Sequence, residues 1–223
     1  PSGGPFSVNY TYTLKDNVLT HSVQGDDDTV NGPLFVVSAT DATGDVGTGN
    51  LQVVISDDAP TANNDADSAV EGVFTPVTGN VITGLGTTGG AGGAGADVKG
   101  ADDAAVSQVV GFNGSTDSNP SGGFTVTGQY GNLTMGPDGE YSYTLTAASV
   151  PVGATDVFTY TLKDGDNDTD PATLTINIGQ DTRTPVLTIG NATVDEEGLP
   201  VRGSEPAGSA AAGDSEIFTG SFT

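Results

Sequence analysis

The sequence predicts an all-β protein built from two-sheet sandwich modules, and three observations carry that expectation. Short runs of apolar and aromatic residues alternate with polar ones at period two, the signature of half-buried strands. No window of ten or more residues carries a 3.6-residue apolar stripe, so helices are not expected. Finally, the chain repeats itself at a fixed offset. Phe35, Asp41, Asp45 and Leu51 recur as Phe158, Asp164, Asp168 and Leu174, each 123 residues later. Asp65-Ala66 and Glu71-Gly72 reappear 126 residues on as Asn191-Ala192 and Glu197-Gly198. Self-similarity at a constant spacing marks a repeat architecture.

The phase of the repeat divides the chain. Residues 1–58 read as the second half of a β-sandwich repeat, 59–181 as a complete one and 182–223 as the first half of a further repeat, the pattern a split domain would leave. The chain thus reads as a window cut from something longer. Strands are expected where Tyr10, Tyr12 and Leu14 alternate with Thr11 and Thr13, and where Tyr141, Tyr143 and Leu145 alternate with Ser142 and Thr144. Phe158, Tyr160 and Leu162 mark another strand, and Leu174, Ile176 and Ile178 mark the next. Residues 164–171 join these last two as a hairpin. Gly136-Pro137-Asp138-Gly139 is a turn, because Pro presets φ and Gly accepts a positive one. Residues 84–100 are so rich in Gly and Ala that a mobile loop is expected there.

Composition narrows the function. There are 29 acidic residues against 5 basic ones, a formal net charge of -24. Such a chain has no basic stripe with which to displace the counterions of nucleic acid, and it should avoid anionic membranes likewise. No stretch approaches the ~18 apolar residues of a membrane span, so no membrane insertion of this segment is expected. The absence of cysteine removes disulfides and thiolate metal sites. The single histidine, His21, lies outside the complete repeat, so no Ser-His-Asp constellation can form within it. Paired-carboxylate catalysis needs two acids in a cleft with opposed environments, whereas these acids sit at strand ends. No enzymatic activity is expected.

The carboxylates are bunched. Asp164, Asp166, Asp168 and Asp170 alternate through one hairpin. Calcium takes six to eight oxygen ligands at ~2.3–2.6 Å, and alternate acids in a tight turn can converge on one ion. The run resembles the start of an EF-hand loop in its chemistry only, for it lacks the flanking helices and the glutamate at position twelve. A second cluster, Asp57, Asp58, Asp65, Asp67 and Glu71, straddles the repeat junction. In an immunoglobulin-like sandwich the first strand starts at the end where the last hairpin turns, which would bring the two clusters together. Their mutual repulsion is then relieved by a divalent cation. Asp41 and Asp45 hold the matching hairpin positions of the preceding repeat, thinned by Ala42 and Thr43; Asp181 marks the next junction. A bare solvated turn is the competing reading of each cluster, and Asp26–Asp28, Asp102 and Asp103 read as solvated loop acids.

Residues 131–134 (Gly-Asn-Leu-Thr), 137–144 (Pro-Asp-Gly-Glu-Tyr-Ser-Tyr-Thr) and 156–166, running on to Ala172-Thr173-Leu174-Thr175-Ile176, are similar to the core of VCBS-type repeats. Such repeats occur in giant RTX adhesins exported by type I secretion. The resemblance implies tandem immunoglobulin- or cadherin-like β-sandwich modules, rigidified by calcium at their junctions. It further implies an extracellular place on the bacterial cell surface and a role in attachment and biofilm formation. The expected function is a calcium-rigidified extender or scaffold segment, with neighbouring repeats as partners and the half modules completing one another between chains. A calcium-dependent module that grips a sugar or peptide is the alternative.

Overall fold

The computed structural model describes residues 9–16, 29–87 and 95–184. The chain divides into a unit Pro1–Asp181 and a unit Thr182–Thr223, and the architecture below belongs to the first. The half repeat expected over 182–223, His21 and Asp26–Asp28 lie outside the described residues or at their edge.

Strands dominate. β1 (Thr29–Thr40) and β2 (Val46–Ser56) form a separate antiparallel hairpin. The remaining strands are β3 (Asp65–Val70), β4 (Val77–Asn80), β5 (Ala104–Val110), β6 (Thr116–Asp117), β7 (Phe124–Thr127), β8 (Gly131–Met135), β9 (Glu140–Leu145), β10 (Thr155–Asp164) and β11 (Thr169–Gly179). They form a sandwich: a five-stranded sheet ordered β3-β11-β10-β5-β6 faces a four-stranded sheet ordered β4-β9-β8-β7. The all-β sandwich expected from the period-two pattern is therefore what the chain builds.

Alternation explains how the two sheets meet. In β10, residues 156, 158, 160, 162 and 164 are buried while their neighbours are not, and β8 and β9 alternate likewise. Phe158, Tyr160, Leu162, Leu174 and Ile176 from one sheet pack with Phe124, Leu133 and Tyr143 from the other, all essentially without solvent exposure. Tyr143 meets Phe158 edge-on at 6.0 Å between ring centroids, a favoured aromatic geometry. Each fully buried large side chain contributes roughly 1.5–3 kcal/mol.

One strand closes the sandwich at the edge that matters for the site. β3 lies parallel to β11, with Asp65 opposite Leu174 and Val70 opposite Gly179. The chain thus enters the sandwich at the end where the β10–β11 hairpin turns. The turn residues 136–139 behave as expected, with Gly139 at φ 82° and its amide bonded to the Gly136 carbonyl at 3.0 Å.

Two expectations are corrected. Residues 10–14 form no strand: Tyr10, Tyr12 and Leu14 are exposed, and the Tyr12 ring lies edge-on to Phe35 at 6.3 Å between centroids. A period-two pattern makes a strand only when a sheet edge offers a ladder. The stretch 84–100 is not wholly loose either. Val98 exchanges backbone hydrogen bonds with Thr61 at 2.8 and 2.9 Å, the Asp97 amide bonds the Ile82 carbonyl at 2.8 Å, and Asp97 is buried. Gly and Ala leave little to pack, but their backbone still pairs.

Candidate metal centre

The β10–β11 turn is built on its first and last acids. The Asp164 amide donates to the Asp168 carbonyl at 3.1 Å, and the Asp168 amide donates to Oδ1 of Asp164 at 2.7 Å. Asn167 takes φ 88°, a left-handed conformation that Asn tolerates better than most residues. The inward phase of β10 carries through this turn, so that Asp164, Asp166 and Asp168 are all buried.

Asp57, just beyond β2, completes the cluster. One carboxylate oxygen from each of Asp57, Asp166 and Asp168 lies within 4.8 Å of the others, and the three residues are 9%, 5% and 0% exposed. Two ligands on one calcium ion, each at ~2.3–2.6 Å, can be no farther apart than about 5 Å, so the donor spacing fits. The donors are all oxygen, the chemistry of hard cations. Oδ2 of Asp57 is buried with no hydrogen-bond partner among the described residues. Burial, then the charge of Asp166 and a hydrogen bond shared with it, raises Asp57 above the ordinary carboxylate range. Burial, with hydrogen bonding to Asp166 and the charges of Asp166 and Asp168, pushes Asp164 up to about 6 against the opposing Asp168 amide. At that spacing two carboxylates repel by about 3–4 kcal/mol at an effective dielectric of ~20. A proton shared between acids relieves part of this; a divalent cation relieves all of it.

The linker that delivers Asp57 is fastened along its length. Asp58 Oδ2 accepts the Ala101 amide at 2.8 Å, and Asp170 Oδ2 accepts the Ala62 amide at 2.8 Å. Oδ1 of Asp97 takes the Asn63 amide at 2.7 Å, while Asn64 Oδ1 receives both the amide and the hydroxyl of Thr173 at 2.9 Å. Asp57 is therefore presented by a segment whose following residues are held to the sandwich.

The structure separates the sequence candidates. Asp57, Asp164, Asp166 and Asp168 gather at one turn. Asp58 and Asp170 instead anchor the linker. Asp67 is buried beneath Tyr141, whose hydroxyl donates to its Oδ2 at 2.7 Å. Asp65 lies in a different cluster, beside Asp97 and Tyr160. Glu71 and Asp181 meet at a distance in sequence, the Asp181 amide donating to Oε2 of Glu71 at 3.3 Å, and Glu71 also takes the Val150 amide at 3.2 Å.

Asp41 and Asp45 repeat the backbone of the Asp164 turn without its burial. The Asp41 amide reaches the Asp45 carbonyl at 2.9 Å, and the Asp45 amide reaches Oδ1 of Asp41 at 3.0 Å. Both acids are exposed, however, and Thr43 stands where Asp166 would. Its hydroxyl and amide donate to Asp41 at 2.7 and 2.9 Å, and they hold that carboxyl below its usual range. A satisfied, solvated carboxylate has little need of a cation.

Two acids were misread or overlooked in the sequence. Asp102, read as a solvated loop acid, is half-buried, two residues before Ala104, the strand partner of Asp164. Asp103 remains exposed and pairs with Lys99 at 2.9 Å. Asp156 is 2% exposed and accepts the Gln129 amide at 2.7 Å, the Gly131 amide at 3.0 Å and the Tyr143 hydroxyl at 2.7 Å. Its signal was available, since it occupies the inward phase of β10 alongside Phe158 and Tyr160.

No family model matches the chain, and no curated protein matches it. Among the described residues no helix is long and apolar enough to cross a membrane.

Proposed function

We propose that this chain is a calcium-rigidified extender segment of a bacterial cell-surface adhesin, in which one ion clasps the incoming linker to the last hairpin of the sandwich. The convergence of Asp57 with Asp166 and Asp168 supports this reading best. Asp57 follows β2 directly, whereas Asp166 and Asp168 belong to the last turn of the sandwich; an ion between them ties the β1–β2 segment to the module that follows.

The mechanics differ from a freely swinging linker. Because residues 58–64 are already hydrogen-bonded to the sandwich, the ion acts upstream of them, at the junction of β2 and Asp57. Without it, buried carboxylates repel and the end of β2 is pushed off. With it, the repulsion becomes attraction and the direction of the strand leaving the sandwich is held. Extracellular modules bind calcium at ~0.1–1 mM. At ten to a hundred times that concentration each site contributes roughly 1.4–2.7 kcal/mol by mass action, a useful share of the ~5–15 kcal/mol of a domain without disulfides. The burial of all three donors favours this mechanical role over a calcium-dependent sugar or peptide grip, which needs an ion open to solvent.

Calorimetric titration of calcium into the metal-free protein tests the clasp, paired with small-angle scattering with and without calcium. Saturable heat that Asp166→Asn and Asp168→Asn each diminish, with a longer maximum dimension in calcium, is expected. Identical heats in the variants, or an unchanged scattering length, would overturn the proposal.

A further inference from the structure

A second acidic centre, built from other residues than the clasp, lies at the start of β3. Asp65 opens β3 at 2% exposure, and Asp97 reaches the same place at 9%. Both touch one hydroxyl oxygen, that of Tyr160: Oδ2 of Asp97 at 3.1 Å and Oδ2 of Asp65 at 3.3 Å. The carbonyl of Asn63 accepts from the same hydroxyl at 2.8 Å. A hydroxyl has one proton to give, and the shortest of these contacts takes it to Asn63. Both acids are left with little from Tyr160. Asp97 recovers something through the Asn63 amide. Asp65 takes a side-chain hydrogen bond from Thr87, yet its Oδ1 is buried without a hydrogen-bond partner among the described residues.

Among the described residues, no basic side chain faces these charges. Lys99, two residues beyond Asp97, is turned to Asp103 at 2.9 Å, and the neighbouring Asp170 adds a further negative charge to Asp97. A buried carboxylate pair in this state must keep protons or gain a cation.

We propose that Asp65 and Asp97 form a second divalent-cation site, closed by the carbonyl oxygen of Asn63 and the hydroxyl of Tyr160. The ligands are hard oxygens from four separate segments: the linker, the start of β3, the stretch before β5, and β10. The cation would be of the calcium class, since a small ion demanding near-ideal octahedral geometry suits a mixed carbonyl, hydroxyl and carboxylate set poorly. Its role is to pin residues 95–98 and the linker onto the core. None of its ligands is shared with Asp57, Asp166 or Asp168, so it stands whether or not the clasp does. Burial, with the Asp97 charge and against hydrogen bonds from Thr87 and Tyr160, pushes Asp65 up to about 6, and Asp97 shifts to the same value through burial. This agrees with an environment that lacks positive charge.

The intact chain discriminates. Equilibrium dialysis against calcium should find one bound ion fewer in Asp97→Asn than in the unaltered protein, and independently one fewer in Asp57→Asn. Terbium supplies a second readout: the chain contains no tryptophan, and Tyr160 sits in the site. Tyrosine-sensitised terbium emission should persist in Asp57→Asn and fall several-fold in Asp97→Asn or Asp65→Asn. An Asp97→Asn protein that binds as many calcium ions as the unaltered chain overturns the site. So does an Asp57→Asn protein that shows no tyrosine-sensitised emission, a result that does not depend on the folding of the Asp97 variant.

Discussion

Phe158 stands opposite Leu174 across the β10–β11 hairpin, and neither side chain has measurable solvent exposure. Phe35 stands opposite Leu51 across β1–β2 in the same register, 123 residues earlier, yet Phe35 is 44% exposed. The sequence makes the same ladder twice, and among the described residues only one copy has an opposing sheet. Phe158→Ala should therefore cost about 3–5 kcal/mol, as large-to-small changes in a packed core do. Phe35→Ala should cost under about 1 kcal/mol, the range of surface changes. Denaturant midpoints of the two variants check this directly.

The uncovered hairpin has a consequence for association. Phe35, Val37, Leu51, Val53 and Ile55 occupy the face that is packed in β10–β11, and an isolated two-stranded sheet is marginal in water. A second copy supplying the opposing strands is the partner we expect. Sedimentation should show concentration-dependent self-association that Val37→Lys reduces. A strictly monomeric profile at high concentration would sink the idea.

Asp156 joins three parts of the sandwich through one carboxylate. Its two oxygens take the amides of the β7–β8 turn and the hydroxyl of Tyr143 from β9. Asp156→Ala leaves those donors without their acceptor, the Gly131 amide and the Tyr143 hydroxyl in the interior, each at ~1–3 kcal/mol, so a loss of about 3–5 kcal/mol is expected. Tyr143→Phe removes one donor while the amides remain, and should cost about 1–2 kcal/mol. Thermal unfolding of both, at neutral pH, gives the comparison. Equal losses would mean that the turn amides contribute nothing.

The contrast between these acids shows what the amino-acid pattern reveals. The Asp164, Asp166 and Asp168 run was legible because alternate residues of a strand face one way, and the turn preserves that phase. Asp57 was legible through the repeat junction, since a sandwich must return its first strand to the end where its last hairpin turns. Asp97 was not, because it follows a Gly- and Ala-rich run with no period of its own. Its position is fixed by backbone bonds to Ile82 and Thr61–Val98, which leave no trace in side-chain type. The same applies to the fastening of the linker, whose donors at Ala62 and Asn63 are main-chain amides. Strand formation at residues 10–14 failed for the converse reason: the pattern was present but no described neighbour offered an edge.

The raised acids make a prediction about pH. Asp65, Asp97 and Asp164 each shift from 3.8 to about 6 on folding. A folded state that holds protons more tightly than the unfolded chain is favoured by acid. The stabilisation from these groups is complete below about pH 4 and disappears as pH rises through 6. Each shift corresponds to on the order of 1–3 kcal/mol once solvent screening is allowed for. The acids with lowered values, Asp41, Glu71, Asp103 and Asp117, lose their contribution only below the ordinary carboxylate range, so they do not obscure the window from pH 5 to 7. Metal-free protein should melt at a lower temperature at pH 7 than at pH 5. Excess calcium should flatten or reverse that trend, because it binds the deprotonated carboxylates and competes with protons for them. Melting curves at the two pH values, with calcium and with a chelator, decide the matter. A metal-free protein that is more stable at pH 7 than at pH 5 would show that these carboxylates are not held in the environments described.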